Sequence, residues 1–115
     1  MESRLADLLD HIRRSATDAV TFIEGMSREE FLADKRTQNA VIMCLLVIGE
    51  SATKIMDQYP EFVVRRRETP WRKMRGMRNR IAHGYFDINL AVVWETVSEA
   101  LPELLMHLPR ESGDA

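Results

Sequence analysis

Apolar residues recur along the chain at steps of three and four rather than two. The first set is Leu5, Leu8, Leu9, Ile12, Ala16, Ala19, Val20 and Ile23. That period lays an apolar stripe down one side of a helix and predicts an element over about residues 3–24. Gly25, which adopts the left-handed conformation without a steric cost, is placed to stop it. Ser27 followed by Glu30 has the spacing of a capping box, so a short helix is expected through Phe31 and Leu32. A long helix is predicted over about 37–58, with Pro60 ending it. Its stripe is Val41, Leu45, Ile48, Ala52 and Ile55, widened by Ile42, Leu46 and Met56. From Ala40 to Ile48 this segment is apolar nearly all round. It therefore needs more than one covering neighbour, either as the centre of a bundle or against a second subunit.

Residues 59–68 read as a connector that becomes strongly basic. Thr69 and Pro70 then signal a helix start, with Thr as the cap and Pro at the first helical position. This helix is expected to end near Gly84, with Trp71, Met74, Met77 and Ile81 on its inner side. The last helix begins after Asp87 or Asn89 and buries Leu90, Val93, Val97, Leu101, Leu104 and Leu108. Pro102 falls inside that pattern and predicts a kink or break. No strand-length alternation of apolar and polar residues occurs anywhere. The predicted fold is all-α, an antiparallel up-and-down helical bundle of four long helices plus one short one. Residues 1–110 are expected to form one domain and 111–115 a flexible tail.

Composition narrows the classes. The 115 residues suit one domain with its own core, and 45% apolar with 30% charged residues argues against disorder. The longest unbroken apolar run, residues 40–49, is about half of a membrane span. Acidic Glu2, Asp7 and Asp10 stand where a secretory leader would be apolar. The single Cys44 rules out an internal disulfide, and a cytoplasmic protein that does not engage a membrane is expected. The net charge of −2 hides an asymmetry. Arg65, Arg66, Arg67, Arg72, Lys73, Arg75, Arg78 and Arg80 share sixteen residues with one acid, Glu68, so that window carries +7. Such density points to a phosphate-bearing partner.

The chemistry is concentrated at the end of that window, in Arg78-Asn79-Arg80-Ile81-Ala82-His83-Gly84-Tyr85. Asn79 and His83 are four residues apart and share a helix face, with Arg75 one turn before them. Arg78 is five residues from His83, about 140° away on an ideal helix, so the two converge only if Arg78 reaches around or the helix deforms near Gly84. An imidazole can take the proton from a ribose 2′-hydroxyl, and a guanidinium can hold phosphate oxygens as charge builds up. The same residue types also occur as a helix C-terminal cap and as surface ion pairs, and spacing alone leaves both readings open. Glu50 reads either as a solvated residue or as a partner to an Arg near the site. His11 and His107 are expected at the surface, and Cys44 as an inert small hydrophobe.

The segment from Trp71 to Phe86 closely resembles the signature of HepT-like toxins of the HEPN superfamily: Arg, four to six residues, then His-x-Tyr, with Asn following the Arg. Asn39-Ala40-Val41, Ile48-Gly49-Glu50, Val93-Trp94-Glu95-Thr96-Val97 and Leu101-Pro102 extend the resemblance over about residues 5–108. Gly84 departs from it, filling a slot that often holds a larger polar residue. The resemblance implies a homodimeric, metal-independent endoribonuclease without a cofactor, with two motif copies facing each other across a cleft. By position, Arg78 and His83 would be catalytic and Asn79 would support them. Arg72, Lys73, Arg75 and Arg80 would bind RNA phosphates. Tyr85 would receive AMP from ATP through a cognate minimal nucleotidyltransferase, the antitoxin of a type VII pair. The alternative is a non-catalytic nucleotide- or RNA-binding HEPN module that partners such a transferase.

Overall fold

The computed structural model describes residues 2–84 and 87–108, and among these every regular element is a helix. Helix α1 spans Ser3–Phe22, α2 spans Arg28–Leu32 and α3 spans Lys35–Gln58. Helix α4 spans Pro60–Arg65, α5 spans Trp71–Gly84, and α6 (Leu90–Glu95) passes through a π-helical turn, Thr96–Ala100, into α7 (Leu101–His107). The all-α expectation holds.

Local chemistry sets most of the boundaries. Gly25 has φ +79, the left-handed turn that separates α1 from α2. Ser27 and Glu30 form the predicted capping box, with Oγ accepting the Glu30 N–H at 3.1 Å and the Glu30 carboxylate accepting the Ser27 N–H at 2.8 Å. Asn89 caps α6 by accepting from Ala91 and Val92 N–H.

Three boundaries differ from the sequence expectation. Pro60 does end α3, but it also opens α4 at its first position, because a fixed φ and a missing N–H cost nothing there. The supposed connector is therefore partly helical. At α5, Pro70 precedes the first helical residue and its carbonyl accepts from Met74 N–H, while the buried Thr69 hydroxyl has no hydrogen-bond partner. Thr69 is therefore not a capping side chain. At Pro102 the last helix neither breaks nor stops. The preceding turn widens to π geometry, with Leu101 N–H bonding back five residues to Thr96, and accommodates the proline.

Helix α3 is the centre of the fold. It packs most extensively on α1 and α5. Arg4 on α1 donates to Gln58 at the far end of α3, so those two run antiparallel. Between α3 and α5, Glu50 lies by Arg78 and Asp57 by Arg75, which makes that pair antiparallel as well. The last helix closes the core from the α1 side. Ile12, Val41, Ile55, Val93 and Val97 are sealed from solvent, together with Phe31, whose ring lies 5.4 Å from that of Trp94. Helix α3 is long and apolar enough to cross a membrane by composition, and half of that stretch is buried within the fold. Its apolarity is that of a core helix with neighbours on two sides. Burial also raises the pKa of the Cys44 thiol, consistent with an inert apolar side chain.

Candidate functional site

The site is built on α5, which presents different groups to each side. Towards α3 the two helices approach very closely at Gly49. A Cβ there would lie 2.3 Å from the Arg78 Cβ and 2.8 Å from the Met74 carbonyl oxygen. This close approach brings Arg78 to Glu50, with Nε 3.1 Å from the carboxylate Oε1. The contact is an ion pair by distance only, because the Nε–H is not aimed along a hydrogen bond. The Arg78 side chain is 23% exposed and that of Glu50 50%, so water screens the pair and its net strength is small. One turn earlier, Arg75 donates to the Asp57 carboxylate at 2.6 Å and reaches the Thr53 carbonyl at 3.5 Å. Both α3-facing arginines are thus held against carboxylates.

The other side of α5 borders an open cleft of about 690 Å³. His83, Asn79 and Arg80 line it, with Met77 and Ile81 beneath. The facing wall comes from Asp87 to Asn89 and from Val92 and Val93 on α6. His83, Asn79 and Arg80 are exposed. The predicted sharing of a face by Asn79 and His83 is realised, because both sit in regular α-helix. Arg78 does not line this cleft. Helix α5 keeps α geometry through Gly84, without a positive φ, so the deformation considered at Gly84 is not present. Among the described residues, no hydrogen bond or ion pair joins Arg78 to His83.

Of the remaining candidates, Arg72 is exposed in the first turn of α5, and Lys73 lines a neighbouring hollow that also contains Arg80. Tyr85 lies outside the described residues. His11 and His107 are exposed, as expected. Among the described residues, no three of His, Cys, Asp and Glu gather as a metal-donor set. The chemistry on offer is an accessible imidazole, an amide on the same face, and guanidiniums on both flanks of one helix.

Sequence reading missed two contributions. Asp87 places a carboxylate opposite His83, and the only signal for it was its position just after the motif. Gly49 sets how closely α5 lies to α3, and its need for a missing side chain arises from a helix 29 residues away in sequence. For Glu50, the choice between solvated residue and arginine partner resolves in favour of the partner.

A helical domain whose most basic helix carries an imidazole into an open cleft defines a class of candidate phosphodiester-handling proteins. The chain belongs to the Ribonuclease HepT-like family, which it matches over residues 12–110. It is 40% identical over 91 residues to the "Probable ribonuclease HepT" of Thermococcus cleftensis, covering 76% of this chain and 80% of the relative. It is also similar to proteins named "Putative RNase". One from Methanocaldococcus jannaschii is 35% identical, over 85% of this chain and 75% of the relative. Another, from Caldanaerobacter subterraneus subsp. tengcongensis, is 30% identical, over 84% and 83% respectively. No solved structure matches the chain.

Proposed function

We propose that this protein is a metal-independent RNA endonuclease that works as a cytoplasmic homodimer. In this reading it is the toxin of a type VII pair, silenced when a cognate nucleotidyltransferase adds AMP to Tyr85. The observation that carries the reading is the open cleft in which α5 of a Ribonuclease HepT-like chain presents His83 beside Asn79 and Arg80.

His83 is the general base. Its imidazole takes the proton of a ribose 2′-hydroxyl, whose oxygen attacks the adjacent phosphorus. The bond to the 5′-oxygen breaks, leaving a 2′,3′-cyclic phosphate and a 5′-hydroxyl. Asn79 orients the imidazole or donates to a phosphate oxygen. Arg78 and Arg80 stabilise the charge that develops on the phosphorane oxygens. A dimer with two motif copies facing each other supplies Arg78 from a second direction. That answers the separation of Arg78 and His83 within one chain. The same separation favours the second reading, a binding module without turnover. AMP on Tyr85, two residues beyond His83, would bring a phosphodiester charge to the arginines that otherwise hold RNA.

The test is incubation of the purified protein with RNA in EDTA. Cleavage with 2′,3′-cyclic phosphate ends is expected, with His83→Ala losing cleavage but keeping RNA binding and Arg78→Ala weakening both. Loss of cleavage in EDTA with recovery in magnesium overturns the mechanism. A monomer in sedimentation at micromolar concentration removes the dimer. Tyr85→Phe that is still silenced by the transferase and ATP removes the control point.

A further inference from the structure

The cleft that holds His83 does not end at the motif. A second hollow of about 360 Å³ continues from it, and the two share Met77, Arg80 and Val92. The groove exists because α5 packs on α3 while the last helix packs on α1 and α2, leaving a channel between α5 and the last helix over α3. Leu45, Ile48 and Met74 form its apolar floor. The opposite wall is the π-helical turn, contributing Thr96 and Ala100. Such turns are rare and concentrate at functional sites.

The charge on this extension is one-sided. Lys73 and Arg80 border it, and no acidic residue does among the described lining. They are seven residues apart on α5, about 10 Å along its axis, and both are exposed. Val92, at the junction, is an exposed apolar side chain at 40%. The Thr96 hydroxyl is committed to the Val92 carbonyl at 2.8 Å, leaving little in the hollow to read a base edge. A flat apolar body flanked by anions fits this surface. An unpaired nucleobase between two phosphates has that form.

We propose that the groove between α5 and the last helix is a base-binding extension of the His83 cleft. It seats one unpaired base of single-stranded RNA near the scissile phosphate, while Lys73 and Arg80 hold the flanking phosphates. This rests on the endoribonuclease reading and adds a substrate class, single-stranded RNA taken with little base preference. Duplex RNA keeps its bases stacked and paired, and does not enter.

The experiment uses the full-length protein and fluorescence anisotropy with 2′-O-methyl oligoribonucleotides. These lack the nucleophile and report binding alone. A single abasic site is moved along the oligonucleotide. One position, or two adjacent ones, should cost about tenfold in affinity. Ala100→Phe, which fills the groove from an exposed position, should cost about the same and erase that positional dependence. Lys73→Ala should lower the salt dependence by about one phosphate contact. Wild-type melting temperatures for both variants establish that they are folded. A flat abasic profile, duplex RNA bound as tightly as single strands, or an abasic profile unchanged by Ala100→Phe overturns the proposal. So does a dimer that dissociates on Ala100→Phe, which would assign the groove to a second copy of the chain. Any of these with intact cleavage of unmodified RNA leaves the endoribonuclease reading standing. Wild-type protein that neither binds nor cleaves RNA removes both.

Discussion

Gly49→Ala adds one methyl group where two helices have no room for it. The new Cβ would stand 2.3 Å from the Arg78 Cβ. Carbon atoms pack at about 3.5 Å or more, so α5 must retreat by roughly 1.2 Å or the helices must twist apart. Neither obstacle is the mobile end of a side chain, since the second contact is the Met74 carbonyl oxygen at 2.8 Å. Overpacking of this kind costs about 1–3 kcal/mol. It is offset in part because alanine is the better helix former by about 0.5–1 kcal/mol. A net loss of roughly 1–2 kcal/mol corresponds to a melting temperature lower by about 4–8 °C for a domain of this size. Gly76 supplies the control. It lies in α5 with nothing within 4 Å of its would-be Cβ, so Gly76→Ala keeps only the propensity gain. That variant should melt about 2–4 °C higher. Thermal unfolding followed by circular dichroism reads both signs. Cleavage should fall sharply in Gly49→Ala, because displacing Arg78 by about 1 Å is enough to cost up to 100-fold. A Gly49→Ala protein as stable as wild type or more so refutes the packing argument.

Three further outcomes are expected. Ser27→Ala removes the capping box of α2 and should cost about 1 kcal/mol, seen as a shift in the urea midpoint at constant slope. The Asp34 carboxylate accepts from the Thr37 hydroxyl and the Thr37 N–H, and these bonds, the hydroxyl first, hold its pKa below the ordinary Asp value. A depressed folded-state pKa gives stability that is complete above the unfolded value and lost as pH falls through the folded one. Asp34→Asn should therefore flatten the acid limb of a stability profile between about pH 5 and pH 2. Glu50→Ala removes a solvent-screened ion pair, so stability should change by less than about 1 kcal/mol. Cleavage should drop through kcat as Arg78 loses its anchor, measured by steady-state kinetics beside a thermal melt.

The amphipathic stripes of α1, α3, α5 and the last helix were legible from spacing alone, because a 3.6-residue period that buries Ile12, Val41, Met74 and Val97 has one economical solution. The turn at Gly25 and the Ser27–Glu30 box were equally legible, since each depends on atoms within a few residues. The motif on α5 and its shared Asn79–His83 face came from the same local geometry. Pro60 and Pro102 misled for the opposite reason. A proline forbids one hydrogen bond but does not say whether the chain turns away, restarts as α4, or widens into a π turn. Which face of α5 meets α3 was also beyond the sequence, because it depends on Gly49 and Arg78 touching across two helices. Tertiary packing alone put Arg75 and Arg78 against carboxylates and left His83 and Arg80 facing an open groove. The sequence thus determined the helices and the chemistry they carry. Burial of α3 between its neighbours decided how those groups are divided between the two sides of α5, because a charge count does not record which cations the core must hold in place.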